Sequence, residues 1–316
     1  MAQILVLGGT GFIGRHLLNR LVARSHKCIV PTRRLSHARD LYPLPTVEFV
    51  REDVLDNSTI ERRVRGCHAV INLVGVLHSR RASQGQAYGA DFRRAHVELP
   101  QRLAAACDKA GVEQIIHVSA LGAAPDAPSE YLRSKAAGEK ALKAAGSTAV
   151  TVFRPSVVIG PEDRFLNMFA ELERLFPMVF LPSPKARFQP VYVQDVAHCI
   201  DRAVLNPLAY GRDYALCGPT AYTLTELVEY VGRTTGHSRP VLGLSESMSE
   251  LQARMMELFP IKLMTLDNVR SMKVDSVCAD PLPFGVPATA LEAIAPTWLA
   301  GAGRQRFSWF RSRAGR

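Results

Sequence analysis

Seven residues near the start of the chain constrain it more than any others: Gly8-Gly9-Thr10-Gly11-Phe12-Ile13-Gly14. They follow a continuous apolar run, Gln3 to Leu7, and precede a segment with Ile13, Leu17, Leu18, Leu21 and Val22 at helical spacing. An apolar run of that length reads as a buried strand, and the periodic segment as an amphipathic helix. A glycine-rich turn between such elements serves two ends. The early glycines allow a tight turn and let a ligand approach the backbone, and Gly14 lets helix and strand pack closely. The helix N-terminus then presents free N–H groups and a positive dipole end, which suits phosphate. Gly8, Thr10, Gly11, Phe12, Ile13 and Gly14 are therefore candidate ligands of a dinucleotide pyrophosphate.

The rhythm continues through the first half. Further strands are expected at Lys27–Thr32, Val47–Val50, Ala69–Val74, Gln114–Ser119 and Ala149–Arg154, and long helices at 92–110 and 129–145. Repeated strand–helix–strand units predict an α/β, Rossmann-like, doubly wound parallel sheet. After Gly160 proline and glycine become frequent and the strands shorten. The expected organisation is a nucleotide-binding domain over 1–159 and a smaller C-terminal lobe over 160–300. That lobe is interrupted by chain returning to the sheet at Phe188–Val193, and a basic-aromatic tail over 301–316 follows.

The end of the second strand speaks to cofactor choice. A site for NAD usually places an acid there to hold the ribose hydroxyls. This chain reads Pro31-Thr32-Arg33-Arg34 instead, and a planar, permanently charged guanidinium suits a 2′-phosphate. NADP(H) is thus expected ahead of NAD(H). Asp53, after the third strand, is placed to accept from an adenine amino group or to cap a helix.

Charge and composition exclude several classes. The net charge of +10 suggests a polyanion partner, but five of the arginines lie in 301–316 and the rest are dispersed. No basic helical stripe of the kind nucleic acid needs is present, so no nucleic-acid partner is expected. The six cysteines (28, 67, 107, 199, 217 and 278) lack C-x-x-C spacing and a Cys/His cluster. They read as reduced core residues of a cytoplasmic protein, with no metal site. No G-x-S-x-G pattern supports a serine hydrolase. The chain enters a strand at once, so no targeting segment is expected, and no apolar stretch reaches the length of a membrane span.

Taken together, several motifs resemble the extended, atypical short-chain dehydrogenase/reductase family. They are the GGTGFIG turn, Asp53, Asn72-Leu73-Val74-Gly75, Tyr131-x-x-x-Lys135 and Arg154-Pro155-Ser156. Within that family, Tyr131–Lys135, Gly160–Asn167 and Gln189–Val196 are most similar to the NAD(P)H-binding accessory subunit of respiratory complex I and its bacterial relatives. The resemblance implies cofactor contacts from Val54, Leu73, Val74, Gly75, Ser119, Pro155, Ser156 and Val158 as well. It implies that Tyr131 is the proton donor or acceptor, and that Lys135 lowers the tyrosine pKa and binds the nicotinamide ribose. It also implies a Ser or Thr just past the fifth strand, where this chain has Leu121. A missing hydrogen-bond donor of that kind costs about 3–4 kcal/mol of transition-state stabilisation. Binding would then outlive catalysis.

Two expectations follow. The first is an NADP(H)-binding protein with little or no turnover, peripheral at the cytoplasmic side of the inner membrane beside a respiratory-complex partner. The second is an NADP-dependent oxidoreductase or epimerase/dehydratase-type enzyme using Tyr131 and Lys135, with a hydroxyl from Ser79, Ser83 or Thr220 replacing the missing one. Two further segments stay open. The apolar series Met248, Leu251, Met255, Met256, Phe259, Ile261, Leu263, Met264 reads as lobe core or as a dock for a quinone-like ligand. The tail, with Trp298, Phe307, Trp309 and Phe310 among arginines, reads as a membrane-surface contact or a solvated terminus. His117, inside an apolar strand, reads as a satisfied core histidine.

Overall fold

A computed structural model of the chain describes residues 1–79, 82, 85–144, 146–256 and 264–300. The chain divides into two compact units, one of residues 1–156, 193–216 and 278–287, the other of 157–192, 217–277 and 288–316.

In the first unit seven strands form one sheet. They are β1 (Gln3–Leu7), β2 (Lys27–Thr32), β3 (Val47–Arg51), β4 (Ala69–Asn72), β5 (Gln114–Val118), β6 (Ala149–Pro155) and β7 (Asp213–Leu216). All pairs are parallel and the order is β7-β6-β5-β4-β1-β2-β3. The helices are α1 (Phe12–Ala23), α2 (Asn57–Arg63), α3 (Ala90–Phe92), α4 (Leu99–Ala110), α5 (Glu130–Lys143) and α6 (Val193–Ala203). A π-helical turn, Arg93–Glu98, joins α3 to α4.

Alternation along each strand sorts side chains to the two faces. Leu5, Leu7, Val70, Ile115 and Val152 pack in one cluster with Leu99, Leu103 and Cys107 of the α4 region, Ile60 of α2 and Leu142 of α5. Packed together elsewhere in the unit, α1 and α6 are tied by Arg24, which donates to the Asp201 carbonyl at 2.7 Å. Strand order reverses at β1, between β4 and β2, and an open parallel sheet binds ligands outside the strand carboxyl ends at such a switch point.

The seventh strand corrects an expectation. Chain returns to the sheet at Asp213–Leu216, beside β6, and not at Phe188–Val193. Within that run Arg187–Phe188 pairs with Tyr222–Thr223, and Val191–Tyr192 with Val158–Ile159. Runs this short carry the same apolar signature wherever they pair, and only partner choice separates them. The cysteines bring a second correction. Cys28, Cys67, Cys107 and Cys199 are buried free thiols, but Cys217 and Cys278 are disulfide-bonded. Cysteines without C-x-x-C spacing carry no local signature of a disulfide.

In the second unit the helices Phe165–Leu175 and Leu224–Thr235 pack together around Leu166, Phe169, Leu227 and Val231, joined by Leu291 and Trp298. A reciprocal capping box between Thr223 and Glu226 starts the second of these helices. The apolar series on Glu246–Met256 is split. Ala253, Met264, Leu266 and Val269 form a small core, whereas Met248, Leu251 and Met255 are exposed. Phe259, Ile261, Leu263 and the tail 301–316 lie outside the described residues.

Candidate nucleotide site

At the carboxyl end of β1 the glycine turn adopts a geometry that excludes side chains. Gly8 has φ +77°, and a Cβ there would stand 3.1 Å from the Leu73 carbonyl carbon. At Gly14 a Cβ would stand 2.4 Å from the Gly9 carbonyl oxygen, closer than any real contact. The Gly11 N–H donates to the Gly8 carbonyl at 2.9 Å and closes the turn. No side chain caps the α1 N-terminus, and its first turn holds no acid. Its orphan N–H groups and dipole end suit an anion. Thr10, Phe12 and Ile13 are half-buried around it.

Arg15, which sequence reasoning missed, braces this turn. Its guanidinium donates to the carbonyls of Thr10 at 3.2 Å and His37 at 2.7 Å and pairs with Asp40 at 3.2 Å. It thereby ties the turn to the 3₁₀ segment Leu35–Leu41, directly after Arg33 and Arg34. Both of those arginines are exposed at the carboxyl end of β2. Asp53 is exposed and accepts from the Leu55 N–H at 2.9 Å, while Asp56 caps α2. Val54 is half-buried and packs against the main core.

Strand pairing draws the next group together. Leu73 donates its N–H to the Leu7 carbonyl at 2.9 Å, which sets Leu73, Val74 and Gly75 beside Gly8. A Cβ on Gly75 would lie 3.2 Å from Lys135 Nζ. Lys135 is buried and donates to the Val118 carbonyl at 3.2 Å. Glycine turn, β4 end, β5 end and α5 thus form a continuous row along the carboxyl edge. Ser119 is buried there, with no hydrogen-bond partner for its Oγ among the described residues.

α5 starts at Ser129, whose side chain accepts from the Leu132 N–H at 3.2 Å. Four residues apart, Tyr131 and Lys135 share a face of that helix. Burial pulls the Lys135 ammonium down to about 8, a fall opposed by Glu139. Burial pushes the Tyr131 phenol up to about 12. Leu121 is half-buried, its N–H bonded to the Pro155 carbonyl at 3.0 Å, and its side chain has no hydroxyl to offer. Of the substitutes considered, the Ser79 hydroxyl accepts from the Asp91 N–H at 3.0 Å at the start of α3. Ser83 lies outside the described residues, and Thr220 belongs to the second unit, as does Val158. Pro155 and Ser156 are buried at the β6 end. Arg154 is engaged in ion pairs with Glu139 and with Asp213, the latter at 2.9 Å.

Two buried histidines complete the region. Asn72 Oδ1 accepts from the Val74 N–H at 3.1 Å, so its amide nitrogen donates to His117 Nδ1 at 3.2 Å. The other ring nitrogen of His117, Nε2, has no partner among the described residues, so this core histidine is only half satisfied. His96 reaches Val76 and Ser134. No sequence signal pointed to it, because a lone histidine in a helical run is common. Among the described residues no group of three or more His, Cys, Asp or Glu could hold a metal, and no helix is long and apolar enough to cross a membrane.

Residues 4–217 match the NAD dependent epimerase/dehydratase family. The chain is similar to rat NADH dehydrogenase [ubiquinone] 1 alpha subcomplex subunit 9, mitochondrial. The two are 35% identical over 298 residues, which span 91% of this chain and 77% of that protein. It is 28% identical over 236 residues to the ceramide reductase of Caulobacter vibrioides, spanning 74% of this chain and 70% of that one. Among solved structures it resembles the NADPH-dependent quinone oxidoreductase of Escherichia coli, complexed with NADPH. There the TM-score is 0.72 at 17% identity, covering 96% of this chain and 99% of that one. With a family match across most of its length and a relative 35% identical over nearly all of it, the chain belongs to the NAD dependent epimerase/dehydratase family.

Proposed function

We propose that this protein binds NADP(H) and holds it with little or no turnover, as a relative of the alpha subcomplex subunit 9 proteins. One contrast carries the reading. The phosphate turn is complete, while the position expected to hold the substrate oxygen is Leu121. The residues fit the cofactor: the Gly8 and Gly14 positions leave no room for side chains, and the α1 N-terminus is uncapped. The pyrophosphate would rest on the turn, the 2′-phosphate on Arg33 and Arg34, and the nicotinamide ribose on Lys135. Asp53 and Val54 would flank the adenine. Leu73, Val74, Gly75, Ser119, Pro155 and Ser156 would line the remainder.

NADP(H) supplies hydride chemistry when bound, and Tyr131 is the group placed to move the accompanying proton. A phenol pushed up to about 12 gives that proton up reluctantly near neutral pH. The rat relative, by its name a subunit of a mitochondrial NADH dehydrogenase, supports a respiratory-complex partner. Titration of the full chain with NADPH and NADH, followed by fluorescence, tests the cofactor reading. NADPH binding stronger than NADH binding supports it, and binding of neither would end it.

A second reading is favoured by the similarity to a ceramide reductase and by Tyr131 and Lys135 on one helix face. It is an NADP-dependent reductase, for which Tyr131→Phe abolishes turnover without loss of NADPH binding.

A further inference from the structure

His96 spans two elements that the cofactor reading needs to keep in register. Its Nε2 accepts the Val76 N–H at 3.0 Å, so the ring proton sits on Nδ1. That nitrogen donates to Ser134 Oγ at 2.9 Å, and Ser134 in turn donates to the Tyr131 carbonyl at 2.7 Å. The imidazole stacks on Phe92 with ring centroids 5.4 Å apart and meets the Tyr131 ring edge-on at 5.6 Å. Its backbone is held as firmly. A Cβ on Gly138 of α5 would stand 2.2 Å from the His96 carbonyl oxygen, so the two helices touch backbone to backbone. His96 lies on the π-helical turn Arg93–Glu98, a feature frequent at functional sites. On one side the bridge ends at Val76, next to Gly75, and on the other at the helix carrying Tyr131 and Lys135.

The ring is also neutral across the working range. Burial, then the nearby Lys135 ammonium, push it down to about 2. A neutral ring donates at one nitrogen and accepts at the other, which a bridge of this polarity requires. A protonated ring would have no acceptor for Val76.

We infer that His96 is a positioning residue that sets the spacing between the Gly75 loop and the Tyr131–Lys135 face of α5, and so shapes the nicotinamide-ribose half of the cofactor site, apart from the ADP half at the glycine turn. The inference rests on the NADP(H) reading above. It predicts a split between ligands that a general loss of structure would not produce.

The test uses the full chain with two probes: NADPH, and adenosine 2′,5′-bisphosphate, which lacks the nicotinamide ribose. His96→Leu takes the acceptor from the Val76 N–H and the donor from Ser134 Oγ, which keeps its own bond to the Tyr131 carbonyl. It is expected to weaken NADPH by about tenfold, with the bisphosphate held at its original affinity. His96→Gln, whose amide can accept from Val76 and donate to Ser134, restores NADPH binding. If His96→Leu does not fold, as judged by thermal unfolding, Ser134→Ala cuts the far end of the bridge and is read the same way. Equal weakening of both probes, no weakening of either, or failure of the glutamine to rescue would overturn the inference. An unmodified protein that bound the bisphosphate but not NADPH would also overturn it, with the ADP half of the cofactor reading intact. Binding of neither probe would remove the cofactor reading itself.

Discussion

The two ends of the candidate site differ in what they are made of. At the glycine turn the work falls to backbone: N–H groups at a helix end, a left-handed Gly8, and a Gly14 where a Cβ would stand 2.4 Å from the Gly9 carbonyl oxygen. At the Tyr131 end everything depends on side chains, their protonation and their partners. Backbone geometry is set by where glycine stands and tolerates drift in other residues. A proton-transfer site does not tolerate it, because one hydroxyl or one shifted pKa changes its chemistry. The turn has every residue its role requires. The far end has a leucine where the resemblance implies a hydroxyl and a tyrosine pushed up to about 12. On the proposed reading, the fold keeps its ligand without its reaction.

Four experiments would break or sharpen that contrast. Gly14→Ala should have the largest effect, since rigid backbone must move to admit the methyl. The expected loss is about 2–3 kcal/mol of stability and roughly a hundredfold of NADPH affinity. Thermal unfolding and a fluorescence titration measure these, and an alanine variant binding normally would sink the backbone account. Leu121→Ser approaches from the other end. If only the hydroxyl is lacking, NADPH oxidation against a carbonyl or quinone panel should rise by about tenfold or more. No gain would shift the proposed cause of low turnover from Leu121 to Tyr131.

Arg33→Ala is expected to weaken NADPH by roughly tenfold, the loss of one charge-assisted contact, and to leave NADH unchanged. Equal effects on both nucleotides would remove the 2′-phosphate role. The smallest effect is on pH. Lys135 is pulled down to about 8, so it carries its proton below that pH and loses it above. NADPH affinity should fall a few-fold between pH 7 and 9 (about 1 kcal/mol or less), with adenosine 2′,5′-bisphosphate unaffected. Stability runs the opposite way. The folded lysine releases its proton near 8 and the unfolded one near its ordinary 10.5, so unfolding free energy rises with pH between those values. Chemical denaturation at pH 8 and 10 checks the sign.

Legibility followed the same division. The six strands from Gln3 to Pro155 and the helices Phe12–Ala23, Leu99–Ala110 and Glu130–Lys143 were readable because buried parallel strands are short apolar runs and their crossover helices are amphipathic, whereas the short Asn57–Arg63 was not. The seventh strand was not. Asp213–Leu216 joins the sheet edge, while Arg187–Phe188 and Val191–Tyr192, with similar apolar character, pair elsewhere. Of the site, the glycine turn and the Tyr131–Lys135 spacing stood out by pattern. Arg15, His96 and Ser134 did not, because their roles arise from partners 25, 20 and 38 positions away.

Sequence by itself determined the parallel α/β fold, the phosphate-type turn and the pairing of Tyr131 with Lys135 on one helix face. Each is written in neighbouring residues, through periodicity or through glycine's freedom from side-chain clashes. Only the tertiary structure decided which short strand closed the sheet, which cysteines are oxidised, that burial raises the Tyr131 pKa, and that His96 bridges two elements. Those outcomes depend on which distant groups meet and how much water is excluded around them, and neither is encoded within any one stretch of chain.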